Sequence, residues 1–341
     1  MIPFAIPEPV LLALIPLAVA AGLDLYLTLL LLGIAALAGW GTPLPGNLGD
    51  LGAAPLLAMA AGFYLVELGA ERSGRVSLFW NSAHAPIRAL GAFLLLVMAL
   101  PGAPLSTHLV GGLAAALLAG VAHGGRFGTR QLLRLAAPRP PSFALVSLAE
   151  DVLVLALVAM ALDAPASGAV TGLALVVLVL TVGRPAIRAS LFAMRLAWGV
   201  WSGLLSQRRW RAPADFPGWL QRAGAGDGLA PGGLLRGAPA GGWRVPGGGP
   251  FRIGWVVITG TGPFFLHRGL VRVHSTSLAG ARVRGVVERA VFQRVELLDA
   301  ADHPFALLLP RDGPAADVLR GEFRRDWSEE PVPEEVPGQA D

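Results

Sequence analysis

The first two hundred residues alternate between long apolar runs and short polar joints. A membrane-spanning helix needs about 20 mostly apolar residues, and six runs approach or exceed that length: Pro9–Trp40, Leu51–Ala70, Ala85–Leu100, Leu109–His123, Phe143–Leu162 and Ala169–Val182. The first run is too long for one straight span and contains Pro16, Gly22 and Asp24, so we expect a kinked or broken helix there. The pattern therefore predicts an all-α polytopic membrane bundle of about six spans over residues 1–185.

The arginines of the joints predict an orientation. The joints after the first, third and fifth runs carry none, whereas those after the second, fourth and sixth runs carry Arg72, Arg75, Arg126, Arg130, Arg134, Arg139, Arg184, Arg188, Arg195, Arg208, Arg209 and Arg211. Arginine at every second joint is the positive-inside pattern. We therefore expect both termini on the cytoplasmic side.

Beyond residue 185 the pattern changes three times. Residues 186–211 mix arginines with Trp198 and Trp201, which predicts an interfacial amphipathic helix. Residues 212–250 are rich in Gly, Pro and Ala, which favours a flexible linker. Residues 251–327 contain short runs of Val, Phe and Leu and then one helical stretch, which indicates a small β-rich, α+β, barrel-like domain on the cytoplasmic side. The acidic tail 328–341 is expected to be disordered.

The composition excludes several kinds of chemistry. The chain has no cysteine, and its 27 basic residues are all arginine. Thiolate nucleophiles, Cys-ligated metal clusters and catalytic or phosphate-binding lysines are therefore excluded. No sequence signature for binding a nucleotide, haem, an iron–sulfur cluster or pyridoxal phosphate is present, so the sequence indicates no particular cofactor. The net charge of +4 is too modest to indicate a nucleic-acid partner.

Five segments together resemble a known family. They are AGLDLYLTLLLLGIAAL, FYLVELGAERSG, SAHAPIRALGAFL, VAHGGRFGTRQLLR and SLAEDVLVL. Over residues 20 to about 185 the chain is similar to bacterial integral membrane proteins of domain-of-unknown-function family 4126, which usually carry Asn in place of Asp24 and Lys in place of Arg126. The resemblance implies a shared membrane fold in the bacterial cytoplasmic (inner) membrane and no established activity.

Ionisable residues within the runs are candidate site residues, because each costs at least ~2.5–3.5 kcal/mol to insert and so faces a partner or water. The predicted site comprises Asp24, Glu67, His84, Arg88, His123, Glu150 and Asp151. All except Asp24 are expected in the cytoplasmic half of the bundle. Because consecutive helical residues point about 100° apart, Glu150 and Asp151 should face different neighbours.

Three interpretations of this cluster remain open. It could be a neutralised structural network, a binding or proton-relay site, or a metal site with His84 and His123 among the ligands. The segment around Asp24 can also be aligned with Glu150–Val158, which would place Asp24 opposite Asp151; the alternative is a chance similarity between two leucine-rich helices. Such a parallel repeat with matching broken helices is typical of transporter binding sites.

Two functional hypotheses from different classes follow. In the first, the bundle is a transporter or channel for a small ion or polar solute and uses the acidic and histidine cluster. In the second, it is a membrane scaffold or sensor whose bundle anchors residues 251–327, which bind a protein or lipid-headgroup partner. An enzymatic function has the least support, because no nucleophile–base pair is legible in the sequence.

Overall fold

The computed structural model describes residues 8–40, 44–72, 74–136, 143–201, 210–226, 233–247, 249–269, 272–288, 292–310, 314, 318 and 321–323. Arg139, Arg208, Arg209 and the predicted tail 328–341 lie outside these residues, as do the side chains of Arg72 and Arg75. The chain divides into two compact units, Met1–Met194 and Arg195–Asp341.

Helices form at all six predicted apolar runs. They are α1 (Glu8–Leu23), α2 (Leu25–Ala38), α3 (Ala54–Arg72), α4 (Gly74–Ala99), α5 (Leu105–Ala136), α6 (Phe143–Asp163), α7 (Pro165–Thr181) and α8 (Arg184–Trp201). Four of them, α3 to α6, are long and apolar enough to cross a membrane, and α7 with α8 forms a fifth candidate that is bent by 75°. The helices α1 and α2 are shorter but apolar. These helices indicate a multi-pass membrane protein and confirm the predicted all-α bundle.

The first run is broken at Asp24, as predicted. Asp24 has extended backbone angles, and its side chain accepts a hydrogen bond of 3.0 Å from the N–H of Leu27, which caps the start of α2. Gly39 then ends α2 in the left-handed conformation, with φ of 66°. The break is therefore a capped helix boundary rather than a proline kink at Pro16.

Helix α1 is the central element of the bundle. It packs against α4, α5, α6 and α7, and its residues from Pro16 to Leu23 are all buried. At Gly22 the approach to α5 is so close that a Cβ atom would lie 2.3 Å from the carbonyl oxygen of Ala119. The broken first helix is thus surrounded by protein on several sides.

The helices α4 and α5 are longer than predicted. Helix α4 begins at Gly74 rather than near residue 85, and α5 continues to Ala136 rather than ending near residue 123. The sequence interpretation ended each run at its polar residues, but those residues lie within the helices and contact one another. Helix α6 continues unbroken through Asp151, so the matching broken helices expected for a parallel repeat are not found.

The second unit contains one open antiparallel sheet. After α9 (Gly218–Gly226) come β1 (Leu234–Trp243), β2 (Phe251–Thr259), β3 (Gly262–Arg268), β4 (Val273–Ser277), β5 (Arg282–Glu288), β6 (Phe292–Leu298) and β7 (Pro304–Pro310). The strand order is β4-β3-β2-β1-β7-β6-β5. The unit contains both helix and sheet, as expected. Among the described strands β4 and β5 are the edges, so the sheet is not closed into a barrel.

Strand β1 lies within the segment predicted to be a flexible linker, and that prediction is wrong over residues 234–243. The small residues of β1 permit close packing rather than preventing it. Ala238 and Ala240 are buried in the same apolar cluster as Phe265, and a Cβ atom at Gly242 would lie 2.9 Å from the Phe265 ring. Low side-chain volume is here a requirement of the core.

Substituting Gly22 tests the packing of the central helix. Gly22→Ala should destabilise the protein by about 1–3 kcal/mol, because the added methyl group meets the backbone of α5. Gly120→Ala is the matched control, since nothing lies within 4 Å of its would-be Cβ atom. Thermal unfolding in detergent compares the two, and equal midpoints would contradict this packing.

Candidate functional site

Polar residues form one stripe on each of three neighbouring helices. They recur at intervals of three or four residues, which places them on one face of each helix. The stripes are Tyr64, Glu67 and Glu71 on α3, Ser77, Asn81, His84 and Arg88 on α4, and His123, Arg126, Arg130 and Arg134 on α5. Most of these side chains are buried. The bundle is therefore polar inside, where the three stripes meet.

Glu67 and Arg126 lie at the centre of this polar interior. Glu67 is 1% exposed, and its Oε1 accepts hydrogen bonds from Arg88 Nη2 and, at 2.8 Å, from Arg126 Nη1. Arg126 also donates from Nη2 to Glu71 at 2.6 Å and from Nε to Glu150 at 2.8 Å. One guanidinium thus binds three carboxylates from two other helices, α3 and α6.

Arg130 completes the pairing one turn further along α5. It forms ion pairs with Glu71 and Glu150, and both glutamates are shared with Arg126. Three arginines, counting Arg88, therefore neutralise three glutamates inside the bundle. Buried charges are tolerated when they are paired and hydrogen-bonded in this way, so the arrangement stabilises the fold as well as concentrating charge.

Arg88 connects the charge network to the break in the first helix. Its Nη1 donates to the carbonyl oxygens of Gly22, at 3.0 Å, and Leu23. In a continuous helix the carbonyl of Leu23 would accept from the N–H of Leu27. Because that N–H is bonded to the Asp24 side chain, the Leu23 carbonyl needs another donor, and Arg88 supplies it.

The two histidines contact α4 but do not form a metal centre. His84 Nδ1 donates to the Trp80 carbonyl at 2.8 Å, so in the neutral ring Nε2 accepts from Tyr26 Oη at 2.9 Å. His123 Nε2 donates to the Asn81 carbonyl at 3.0 Å. Among the described residues no group of three or more His, Asp or Glu side chains could hold a metal ion, so the metal interpretation has no support there.

The adjacent acids of α6 have different partners. Glu150 bonds to the arginines of α5, whereas Asp151 Oδ2 accepts a hydrogen bond of 2.9 Å from Tyr64 on α3. This is the divergence expected for consecutive helical residues. Asp151 therefore lies beside the charge network rather than within it.

Several buried polar atoms of this region have no hydrogen-bond partner among the described residues. They are Glu67 Oε2, Trp80 Nε1, Asn81 Oδ1, Arg88 Nε and His123 Nδ1. Buried polar atoms are normally paired, and exceptions require a specific explanation. The paired atoms of the network account for its stability, whereas these five atoms can still form hydrogen bonds with a further ligand.

The predicted site residues are brought together only in part. Glu67, Arg88 and Glu150 belong to the charge network, Asp24 caps the adjacent helix break, and Asp151, His84 and His123 lie at its border. Sequence reasoning missed the network roles of Glu71, Arg126 and Arg130. Their spacing was the available signal, because Glu67 with Glu71, and Arg126 with Arg130, recur at four residues.

These features define a polytopic α-helical membrane protein with a charged interior. The family model described as "Domain of unknown function (DUF4126)" matches residues 11–184, and the chain belongs to that family. The match covers the helices of the charge network and ends before the β-sheet unit. No curated protein and no solved structure matches the chain.

Neutralising Arg126 tests the role of the network in stability. Arg126→Gln should destabilise the protein by about 3–5 kcal/mol, because it leaves buried carboxylates without their shared cation. Arg195→Gln on α8 is the matched control, since Arg195 is exposed and its loss should cost little. Thermal unfolding in detergent measures both, and a control-like midpoint for Arg126→Gln would show that the network is not buried as described.

Proposed function

We propose that this protein is a transporter or channel for a small ion or polar solute, and that its site lies where the broken first helix meets Glu67 and Arg88. One observation carries this proposal. The central helix is interrupted at Asp24, and the buried carboxylate beside the interruption has an oxygen without a partner among the described residues, Glu67 Oε2.

Two physical arguments support a binding role. Interrupted helices in membrane proteins occur where freed backbone groups face a partner or a cavity, and they often mark the binding sites of transporters. Ionisable residues are also costly in a membrane and are kept where they serve a function. Here the carbonyls freed by the break are bonded to Arg88, which in turn binds Glu67.

The competing interpretation is a purely structural network, and the pairing of three arginines with three glutamates favours it in part. That pairing does not account for Glu67 Oε2, Asn81 Oδ1 or His123 Nδ1, which are buried without a described partner. It also does not require a break in the central helix. The ion pairs of the network contain no group of α1 or α2, so they do not explain the break, and the break favours a binding site.

For the orientation we propose that both termini are cytoplasmic and that the membrane is the bacterial cytoplasmic one. Arg126, Arg130 and Arg134 contribute less to this argument than they did in the sequence, because Arg126 and Arg130 are buried within α5 and Arg134 is half-buried there. The arginines that remain outside the network, including Arg184 and Arg195, are still confined to alternate joints. With this orientation the charge network lies in the cytoplasmic half of the bundle.

A ligand screen with matched variants tests the proposal. Purified full-length protein in detergent is titrated with Na⁺, K⁺, Mg²⁺ and chloride at constant ionic strength over several pH values, and thermal unfolding is followed. A bound ligand at 100 times its Kd should stabilise the protein by about 2.7 kcal/mol. Glu67→Gln should abolish this response, whereas Arg195→Gln, on exposed α8, should retain it.

Two further variants keep the test decisive if Glu67→Gln does not fold. Asp24→Asn retains a capping side chain at the helix break, and Glu150→Gln with Asp151→Asn removes charge from α6. Flux is then measured in liposomes for any ion that stabilises the wild type. Unchanged flux and ligand response in all folded variants would contradict the proposed site and favour the structural network.

The separate β-sheet unit supports the second candidate, a membrane scaffold or sensor that binds a protein or lipid-headgroup partner. A truncation discriminates the two candidates. Because β1 begins at Leu234, the deletion should remove residues 202–341 rather than cut through the sheet at residue 250. Transport that survives this deletion would favour the first candidate, whereas loss of partner binding alone would favour the second.

A further inference from the structure

The sheet half formed by β1 to β4 carries a strong imbalance of charge. Between Asp227 and Glu288 the sequence contains no acidic residue, but it contains seven arginines and two histidines: Arg236, Arg244, Arg252, Arg268, Arg272, Arg282, Arg284, His267 and His274. This segment spans the first four strands and most of β5. Any carboxylate that balances the positive charge of this segment must therefore belong to another part of the chain.

Four described carboxylates of the unit pair with basic residues other than Arg252, His267 and His274. Glu322 forms an ion pair with Arg236, Asp302 with Arg282, and Glu296 with Arg294 at 3.2 Å. Asp299 lies 3.4 Å from His303. At one end of this half of the sheet, β1 and β3 end and β2 and β4 begin. The arginines at that end have no described carboxylate partner.

Three basic side chains meet on one face of the sheet at that end. Strand register pairs His267 directly with His274, and their rings stack with centroids 5.0 Å apart. His267 is also paired with Gly254, so Arg252, two residues before Gly254, lies diagonally from His267 on the same face. A permanently charged arginine thus neighbours two histidines that become positive when they are protonated.

Among the described residues, no ion pair joins a carboxylate to any of these three basic groups. Arg252 pairs across the strands with Gly242, as His267 does with Gly254, and the Phe265 ring lies over both glycines, 2.9 Å from each would-be Cβ atom. His267 is 6% exposed. Its Nδ1 and the Nε of Arg252 are buried without a hydrogen-bond partner among the described residues.

The β1–β2 turn approaches the same group. Gly247 and Gly249 have φ values of 69° and 73°, and a Cβ atom at Gly249 would lie 3.6 Å from Arg252 Nη2. The Thr276 hydroxyl donates to the Pro246 carbonyl at 3.2 Å, which holds the turn beside β4. The glycine-rich turn thus lies beside the Arg252 guanidinium without a bulky side chain between them.

We propose that Arg252, His267 and His274 form a binding site for a phosphate-type oxyanion, supplied either by a free phosphorylated solute or by a lipid headgroup. An arginine fork and imidazole N–H groups are the donors that such an anion prefers. The bound anion supplies the counterion that the sheet lacks. This site lies outside the residues matched by the family and is independent of the function proposed for the bundle.

The electrostatics of His267 agree with this geometry. Burial, the neighbouring His274 and Arg252 together lower the pKa of His267 to about 4. Its imidazole is therefore neutral at physiological pH. An anion bound beside it would stabilise the protonated ring and raise that pKa, so binding should be accompanied by proton uptake as the pH falls towards the raised value.

Titration of the full-length protein with inorganic phosphate tests the site. In neutral detergent at constant ionic strength, phosphate should raise the unfolding midpoint relative to chloride, and Arg252→Gln should weaken binding about tenfold or more, since charge-assisted hydrogen bonds to the anion are lost. Arg282→Gln is the matched control, because Arg282 belongs to the same sheet but pairs with exposed Asp302. Its affinity should be nearly unchanged.

A second arm distinguishes the two sources of phosphate. The protein is reconstituted into phosphatidylcholine nanodiscs with and without phosphatidic acid, in phosphate-free buffer. Stabilisation by inorganic phosphate indicates a free solute, whereas stabilisation by phosphatidic acid alone indicates a headgroup; both must depend on Arg252. His274→Gln, at an exposed position, replaces Arg252→Gln if that variant does not fold.

Two outcomes would overturn the proposal. One is the absence of a response to either form of phosphate in wild-type protein. The other is an equal loss of response in Arg252→Gln, His274→Gln and Arg282→Gln, which would show nonspecific attraction to a basic surface. Calorimetry in buffers of different ionisation enthalpy adds a further readout, because proton uptake on binding should decrease when His267 is replaced by Asn.

Discussion

The side chain of Arg126 is the constraint on which the first unit depends. Its Nε, Nη1 and Nη2 bond to Glu150, Glu67 and Glu71 at 2.6–2.8 Å, so all three guanidinium nitrogens are used. Because arginine stays protonated even when buried, Arg126 supplies a positive charge to all three glutamates in a low-dielectric interior. The relative positions of α3, α5 and α6 are therefore determined by one planar group, and a displacement of any of these helices would expose an unpaired charge.

Glu67 transmits this constraint to the centre of the bundle. The same oxygen, Oε1, binds both Arg126 and Arg88, and Arg88 bonds to the carbonyls at the end of α1. A ligand bound at the other oxygen, Oε2, would share this carboxylate with Arg88, the cation that stabilises the helix break. Under the proposed transport function, this coupling is a physical route by which ligand binding alters the packing of α1 against its neighbours, as alternating access requires.

The membrane bundle, the break at Asp24 and the divergence of Glu150 from Asp151 could be predicted from the sequence, because each follows from length, capping chemistry or helical geometry. The extents of α4 and α5 could not. Asn81, His84 and Arg88 have low hydropathy values, so hydropathy alone assigns them to a loop. A hydropathy value describes the transfer of one residue into lipid and takes no account of partners on other helices. The missed roles of Glu71 and Arg130 have the same origin. Strand β1 was missed because its glycines and alanines indicate a linker unless Phe265 is known to cover them.

The bundle and one end of the sheet differ in how their arginines are paired. In the bundle Arg88, Arg126 and Arg130 are matched by three glutamates, because an unpaired charge there would cost several kcal/mol. In the sheet, Arg252 and its neighbours have no described carboxylate, and water screens part of that cost. Arg252 is only half-buried, so part of its guanidinium meets solvent and remains available to a mobile anion. Charge pairing stabilises the first unit, whereas the unpaired basic groups of the second are the basis of the proposed anion site.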